Sequence, residues 1–327
     1  MRQWLFLALA LASANTSAAW TSDQWDVMGT RATLEFWCEP QANAQTQCDA
    51  VTHHVRREFE RLNALLSPWQ PDSELAQVNA HAADHPVAIS DEFMQLLQRS
   101  AHYFAVTDGA FDITFASAGA LYDYRNGKAP DDKQLSAARQ LIGFHHLIIT
   151  NDTVAFARDG VRIDLGGIAK GYAIDRAVML LRQHGIRHAY VSLGGDSYVL
   201  GDRRGRDWQV GIRHPRDETG VAIRLPVSDI AVSTSGDYER FFIRDGERVH
   251  HILNPSSGTA SKGLVSVTVL APRGIDADAL STSVFVLGKE KGLALVNQLD
   301  EVSAILIDEN GKVFYSDDLA SPETPAR

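Results

Sequence analysis

The sequence predicts an α+β protein, and three observations support that class. Segments with the two-residue alternation of strands and segments with helical spacing follow each other in mixed order, not as regular β–α–β units. The chain of 327 residues is 45% hydrophobic and 22% charged, which is typical of globular proteins. It has no internal repeat and no long linker. We therefore expect one continuous domain over residues 20–318, preceded by a signal peptide (1–19) and followed by a flexible tail (319–327).

Local spacing predicts the individual elements. Alternating or β-branched runs indicate strands, and apolar residues at helical spacing indicate helices. Strands are predicted at residues 25–37, 146–150, 154–157, 161–165, 189–193, 208–212, 221–225, 265–270 and 303–307. Helices are predicted at residues 49–66, from Ser90 onward, and at 168–184, 277–287 and 293–299. Glycines at positions 185 and 288 are expected to end two of these helices.

The N-terminal residues are typical of an export signal. Arg2 supplies positive charge, residues 4–11 are an apolar run too short to span a bilayer, and small residues follow at 17–19. No cysteine follows the run at the cleavage position, which excludes a lipid anchor there. We expect a soluble exported protein, periplasmic in a bacterium with two membranes, whose mature chain starts near Trp20 and does not insert into the membrane.

The charge and the cysteines narrow the function classes further. A formal net charge of -10 gives no overall positive field, so binding of nucleic acid by bulk electrostatics is excluded. The two cysteines, Cys38 and Cys48, are close in sequence. In an oxidising compartment we expect them to form a structural disulfide rather than a metal site.

The first segment that can carry chemistry is a predicted strand-to-helix turn at residues 163–173. Two glycines, Gly166 and Gly167, let the backbone approach a ligand closely, while Asp164 and Lys170 add opposite charges to the same turn. Such a turn occurs in many α/β proteins, so alone it is equally compatible with a purely structural role.

The second segment opens the helix predicted at residues 277–287. Asp278 and Thr282 are four residues apart and therefore project from one helix face. A carboxylate and a hydroxyl in that arrangement suit Mg²⁺, which takes few protein oxygens and shares the rest with water and phosphates. Aspartate and threonine also favour first helical turns, so this pattern alone indicates only a helix start.

The third segment combines small hydroxyl residues with a histidine. Ser235 and Gly236 lie in a stretch that can surround a phosphate or a flavin edge, and His251 precedes an Asn-Pro pair. We expect His251, near its ordinary pKa of about 6.5, to accept a proton, and His250 to point to the other face of the strand.

Taken together and in this order, these segments resemble the FAD:protein FMN transferase (ApbE) family. The resemblance runs from Met28-Gly-Thr30 to about Gly288, which is most of the chain. The further segments that carry it are Ser67-Pro-Trp-Gln-Pro-Asp-Ser-Glu-Leu75 ahead of Asn79, Asp108-Gly-Ala-Phe-Asp-Ile-Thr114, Gly194-Gly-Asp196 and Ala277-Asp-Ala-Leu-Ser-Thr282.

The resemblance implies a T-fold-like core with an added α+β lobe and a ligand cleft between them. It implies Mg²⁺ bound by the side chains of Asp278 and Thr282 and the backbone carbonyl of Gly167. It makes His251, in the family's His-Ile-x-x-Pro pattern, the catalytic base. The residues expected to contact FAD are Met28, Ala110, Phe111, Asp112, Asp164, Lys170, Ser235 and Gly236.

Two departures from the family pattern concern contacts with the rings of FAD. Trp69 stands where many members have tyrosine, and Ile113 replaces a proline. The segment that ends at Thr114 also resembles the acceptor motif that such enzymes modify. Phe111 occupies a position where acceptors usually have Ser or Thr, so self-modification is the weaker interpretation.

The implied reaction cleaves FAD, attaches FMN through a phosphoester to a Thr or Ser of a target flavoprotein, and releases AMP. Magnesium would offset charge on the phosphates. Two alternatives remain open at this stage. A Mg²⁺-dependent FAD pyrophosphatase would use water as the acceptor, and a non-catalytic exported FAD-binding module would need no metal-activated phosphorus.

Overall fold

The computed structural model describes residues 19–39, 44–217 and 219–320 of the chain. The predicted signal peptide up to residue 18 and the tail beyond residue 320 lie outside the described residues. The helices are α1 (Ala44–Leu66), α2 (Glu74–His81), α3 (Asp91–Val106), α4 (Ala116–Gly119), α5 (Asp132–Arg139), α6 (Ala169–Gln183), α7 (Gly274–Val296) and α8 (Asp317–Ala320). The strands are β1 (Ala19–Val27), β2 (Thr30–Cys38), β3 (Val87–Ala88), β4 (Leu147–Ile149), β5 (Thr153–Phe156), β6 (Ala189–Leu193), β7 (Asp196–Leu200), β8 (Trp208–Arg213), β9 (Val221–Val227), β10 (Ile230–Gly236), β11 (Phe241–Arg244), β12 (Glu247–His250), β13 (Leu253–Asn254), β14 (Thr259–Ala260), β15 (Leu264–Ala271), β16 (Ser303–Asp308) and β17 (Val313–Tyr315).

An antiparallel sheet forms the centre of the described structure and confirms the α+β class. Its strands run in the order β1-β2-β6-β7-β10-β15-β16-β17. Helices α6 and α7 pack together on this sheet, α6 against β6 and β7 and α7 against β10 and β15, while α1 packs on α6. Every residue of β15 is buried, so this strand is covered on both faces. The resemblance of this core to a T-fold stays a prediction.

The segment between α1 and α6 contains helices α2 to α5 and a small sheet of order β3-β5-β4.

Three predicted helix starts and stops in the chain agree with the structure. Ser90 caps α3 through a hydrogen bond from the Phe93 amide to its Oγ at 3.2 Å. Helix α6 is followed by Gly185 with φ +74°, and Gly288 interrupts α7 with φ +76°.

The single strand predicted at residues 25–37 is wrong, because the structure has a hairpin there. Strands β1 and β2 pair antiparallel around Met28 and Gly29, which have φ of +51° and +71°. A two-residue turn with two positive φ angles is the tight connection that twisted strands prefer. It preserves the alternation of side chains, so the pattern alone did not reveal the reversal.

The strand predicted at residues 161–165 is also wrong. The segment is unpaired with any strand, and its backbone groups bind other partners. The side-chain amide of Asn79 donates to the Ile163 carbonyl and accepts from the Ile163 amide, both at 2.8 Å, and the Asp164 amide donates to the Ile113 carbonyl at 3.0 Å. The Asn79 side chain thus makes the hydrogen bonds to Ile163 that a neighbouring strand would otherwise make.

The sequence analysis did not predict β10, which lies in the middle of the main sheet. Its residues Ile230–Gly236 include three hydroxyl side chains in a stretch that was expected to surround a phosphate or a flavin edge. Cys38 and Cys48 are joined in a disulfide, as expected, and both are buried. Within the described residues, no helix combines the length and the apolar character needed to cross a membrane.

Candidate active site

Helices α6 and α7 approach each other closely because glycines face each other at their N-terminal ends. A Cβ placed on Gly171 would lie 2.7 Å from the Cβ of Asp278, and a Cβ on Gly274 would lie 2.5 Å from the Gly171 carbonyl oxygen. Neither position has room for a side chain. The approach lets the Gly171 amide donate to Asp278 Oδ2 at 2.9 Å.

Asp278 belongs to a buried charged group with Lys170 and Asp196. The ammonium of Lys170 binds an oxygen of Asp196 directly and lies 3.5 Å from Asp278 Oδ1. Both aspartates are 2% exposed. Burial raises the pKa of the Asp278 carboxyl and the Asp196 carboxylate acts in the same direction, while Lys170 opposes both. Burial works against the charge of Lys170, but the two carboxylates raise its pKa above the ordinary value, so the ammonium stays charged.

A chain of hydroxyl groups connects this charged group to Thr282. Ser233 donates to Asp196 and lies 3.1 Å from the Ser281 hydroxyl, which lies 2.9 Å from that of Ser235. The Ser235 hydroxyl lies 3.3 Å from Thr282 Oγ1. Strand β10 and helix α7 are therefore joined by three hydroxyl contacts, one of which involves Thr282.

The residues that the resemblance assigns to Mg²⁺ lie on or beside helix α7. A Cβ on Gly167 would lie 3.5 Å from Thr282 Oγ1, and Asp278 is one turn before Thr282. A carbonyl, a hydroxyl and a carboxylate are the hard oxygen ligands that Mg²⁺ takes, so these residues fit the ion. The described residues hold no cluster of three or more His, Cys, Asp or Glu side chains suited to a metal. The set of Asp278, Thr282 and the Gly167 carbonyl contains only one such side chain, so it does not meet that definition.

Asp164 lies at the turn before Gly167 and is partly buried. Its Oδ1 accepts a hydrogen bond from the Gly166 amide at 2.6 Å. Burial raises the pKa of its carboxyl, whereas this hydrogen bond and the nearby Arg240 lower it. The sequence had placed Asp164 and Lys170 at one turn, and in the structure the Lys170 side chain faces Asp196 instead.

The stretch Ala110-Phe111-Asp112 is buried rather than open to a cleft. The ring of Phe111 lies against Gly167, 3.2 Å from the position of a Cβ there, and packs edge-on to Tyr103. The Asp112 carboxylate caps the following turn by accepting from the Thr114 amide at 2.9 Å and its hydroxyl at 2.6 Å. Burial raises the pKa of Asp112.

Thr114 is fully buried, and its hydroxyl is occupied at both its donor and its acceptor. It donates to Asp112 and accepts from the Gly143 amide at 2.7 Å. This environment argues against self-modification at Thr114, because an acceptor hydroxyl has to reach a phosphorus atom.

The two neighbouring histidines point to different environments. His250 is 4% exposed, its Nε2 lies 2.8 Å from the Ser261 carbonyl, and its ring packs edge-on to Phe285. His251 is half-buried, its amide donates to the Arg240 carbonyl at 3.0 Å, and its Nδ1 is buried with no partner. His251 is thus the free imidazole of the pair.

The expectation of an ordinary pKa for His251 is wrong. Burial, together with the positive charges of Arg240 and Lys170, lowers the pKa of His251 to about 3. The sequence showed none of this because Lys170 and Arg240 reach the histidine only through the fold.

Two other residues predicted to contact FAD have clear local roles. Met28 forms the β1–β2 turn and is half-buried. Gly236 ends β10 under the ring of Tyr238. A Cβ on Gly236 would lie 2.5 Å from that ring, so the position has no room for a side chain. The adjacent Ser235 belongs to the hydroxyl chain that reaches Thr282.

Sequence reasoning missed three residues that hold the site. Asp196 appeared only in a segment that carries the family resemblance, and its signal was an acidic residue directly after two glycines at a strand end. Asn79 appeared only as part of a motif, and its bonds to Ile163 orient the backbone that leads to Gly167. Arg240 had no distinguishing pattern among the other arginines of the chain.

Comparisons with known proteins identify the family of this chain. A family model described as the ApbE family matches residues 28–306. The chain is 31% identical to an FAD:protein FMN transferase from Vibrio cholerae over 97% of both chains. It is 36% identical to an FAD:protein FMN transferase from Treponema pallidum over 82% of this chain and 79% of that one.

Solved structures resemble the fold over almost the whole chain. The flavin transferase ApbE from Vibrio cholerae matches with a TM-score of 0.82 and 28% identity, covering 93% of this chain and 99% of that one. The ApbE protein from Thermotoga maritima matches with a TM-score of 0.82 and 30% identity, covering 92% and 98%. Because the family model spans most of the sequence and full-length relatives share both sequence and fold, this chain belongs to the ApbE family.

Proposed function

We propose that this chain is an FAD:protein FMN transferase. It binds FAD, cleaves the diphosphate, joins FMN through a phosphoester to a Thr or Ser of a target flavoprotein, and releases AMP. Curated relatives with 31% and 36% identity carry this name. The structural observations that support the proposal are the 3.5 Å contact of Lys170 with Asp278 and the packing of Gly167 against Thr282.

We include Mg²⁺ in the proposal because all three candidate ligands offer oxygen atoms, which this ion prefers. Asp278, Thr282 and the carbonyl of Gly167 would hold Mg²⁺. When bound, the ion would offset negative charge on the diphosphate. Asp278 is already oriented by the Gly171 amide, and Thr282 by the Ser235 hydroxyl, so both side chains are positioned before any ion binds.

The chain's own residues supply positive charge and a proton acceptor. Lys170 keeps its ammonium charged between Asp196 and Asp278. We assign His251 as the acceptor of the proton from the attacking hydroxyl. Its pKa of about 3 makes it a weak base in the free enzyme, and the negative charge of FAD has to raise that pKa during the reaction.

The bond changes are those of a phosphoryl transfer. The phosphorus on the riboflavin side gains a bond to the acceptor hydroxyl oxygen and loses its bond to the bridging oxygen. That oxygen leaves with AMP, and the hydroxyl proton passes to His251. The product on the acceptor protein is a phosphodiester of FMN.

We also propose that the enzyme works after export. The apolar run at residues 4–11 and the small residues at 17–19 support a signal peptide, and the Cys38–Cys48 disulfide suits an oxidising compartment. The acceptor would then be a flavoprotein, or a domain of a membrane redox complex, that faces the same compartment.

Incubation with FAD, Mg²⁺ and a target flavoprotein domain, followed by intact-mass measurement of that domain, tests the function. A mass gain of one FMN phosphoester together with AMP supports transfer. FMN and AMP without labelled protein identify a pyrophosphatase, and intact FAD identifies a binding module.

The matched pair Asp278→Asn and Asp276→Asn tests the site. Both lie in the first turns of α7 and remove one negative charge, but Asp276 binds Arg99 and Tyr103 away from the proposed metal. We expect Asp278→Asn to lower transfer by about 100-fold or more and Asp276→Asn to keep most activity per folded molecule. Equal activity of Asp278→Asn and wild type would reject the metal assignment.

A further inference from the structure

Arg240 connects three segments that surround the proposed site. It lies between β10 and β11, and its backbone carbonyl accepts the hydrogen bond from the His251 amide. Its Nη2 lies 3.6 Å from the position of a Cβ on Gly29, in the turn next to Met28. The guanidinium therefore lies over the β1–β2 turn, beside His251.

In the part of the chain that the structure describes, Arg240 forms no direct ion pair, although it is near enough to Asp164 to lower the pKa of that carboxyl. Other arginines of the same region have one. Arg213 binds Glu239 at 2.6 Å, and Arg216 binds Asp237 at 2.7 Å. An exposed guanidinium without a carboxylate, held at the edge of a site, is free to bind an anionic ligand.

The surroundings of His251 indicate the sign of that ligand. Arg240 and Lys170 both act on His251 as positive charges, and the Nδ1 of the ring is buried without a partner. Lys170 lies within 4 Å of two aspartate carboxylates, whereas no described carboxylate lies that close to Arg240. An anion bound beside Arg240 and His251 would balance this positive charge.

We propose that Arg240 binds the diphosphate of FAD, on the side of the cleft formed by the β1–β2 turn and opposite Asp278. The inference rests on the proposed function, since it takes the anion to be FAD. A planar guanidinium can hold two phosphate oxygens at once, so Arg240 would fix the orientation of the diphosphate beside His251.

Binding of two ligands to wild type and variants tests the proposal. Isothermal titration calorimetry is performed with FAD and with riboflavin, which lacks the diphosphate, in Mg²⁺ and without an acceptor protein. We expect Arg240→Ala to weaken FAD binding by about 10- to 100-fold and to leave riboflavin binding unchanged. Arg240→Lys keeps the charge but not the two-pronged geometry, and is expected to recover part of the loss.

Arg244→Ala is the matched control, because Arg244 is an exposed arginine on the adjacent strand β11 and lies 3.8 Å from Asp245. It should bind both ligands like wild type. Unchanged FAD binding in Arg240→Ala, or an equal loss for FAD and riboflavin, overturns the proposal. Failure of wild type to bind FAD at all would instead reject the proposed function.

Discussion

At the scale of single residues, His251 shows how strongly the surroundings change a side chain. Its imidazole is half-buried, its Nδ1 has no partner, and two cations act on it. The buried neutral ring is therefore available as an acceptor, but it is a weak one until negative charge arrives. This links the proton transfer to the binding of the anionic substrate.

We expect the His251 ring to stay neutral in the free enzyme from pH 8 down to about pH 4, because its pKa is lowered to about 3. An unfolded histidine takes up its proton near pH 6.5, so the unfolded state binds more protons as the pH falls below that value. The histidine therefore destabilises the fold progressively between pH 6.5 and pH 3, and has no such effect above pH 6.5.

Long-range ¹H–¹⁵N NMR of the imidazole nitrogens across this pH range measures the titration. His251→Gln identifies the resonance. A midpoint near 6.5 in the free enzyme would contradict the lowered pKa. Addition of FAD should raise the midpoint.

At the scale of elements, helices α1, α3 and α6 are held together by an ionic network. Arg61 of α1 binds Glu58 at 2.9 Å and Glu92 of α3 at 2.6 Å. From α6, Tyr172 donates to Glu92 at 2.7 Å, and Arg176 binds Glu58 at 2.8 Å. Since the first turn of α6 carries Lys170, the network helps to fix the helix that positions the site.

We expect Arg61→Gln to reduce the free energy of unfolding at pH 7 by about 1 kcal/mol, a value limited by the partial exposure of Arg61. The hydrogen bonds from Arg61 hold the pKa of Glu58 and of Glu92 below the usual range. The stabilisation is therefore present above the unfolded value of about 4.3 and is lost as the pH falls through the lower folded-state values.

Urea unfolding of both proteins at pH 7, 5, 4 and 3 measures this difference, which should shrink toward zero in acid. Arg57→Gln is the control, because Arg57 is exposed on the same helix. A difference that grows in acid would show that the network acts in another way.

At the scale of the whole molecule, the main sheet joins parts of the chain that are far apart in sequence. Strands β6, β7, β10 and β15 are neighbours, and their turns and ends carry Asp196, Ser233 and Ser235 toward α6 and α7. The disulfide lies at the other end of this arrangement. Cys38 ends β2, about 25 Å along the strand from Thr30 and the turn beside Arg240.

We expect the double variant Cys38→Ser/Cys48→Ser to lose about 2–3 kcal/mol of unfolding free energy, the amount for closing a short loop. Transfer activity per folded molecule should be unchanged, because the bond is remote from the site. Urea unfolding with and without reductant measures the loss. Reductant should destabilise wild type and leave the double variant unaffected, and a loss of activity in the folded variant would contradict the separation.

The sequence by itself determined the α+β class, the positions of α1, α3 and α6, the cysteine pair, and the order of motifs that shows the family. These features depend on local periodicity, on neighbouring residues, or on the order of short segments. Local patterns failed where a side chain replaced a strand, as Asn79 does for residues 161–165, and where a two-residue turn kept the alternation, as between β1 and β2.

Only the tertiary structure decided which charges meet. Lys170 and Asp196 are 26 residues apart, and Gly171 and Asp278 are 107 apart. Their contact depends on the pairing of β6, β7 and β10 and on the glycine-lined approach of α6 to α7. The lowered pKa of His251 and the position of Arg240 beside it follow from the same packing, because electrostatic interactions depend on distance in space rather than on separation along the chain.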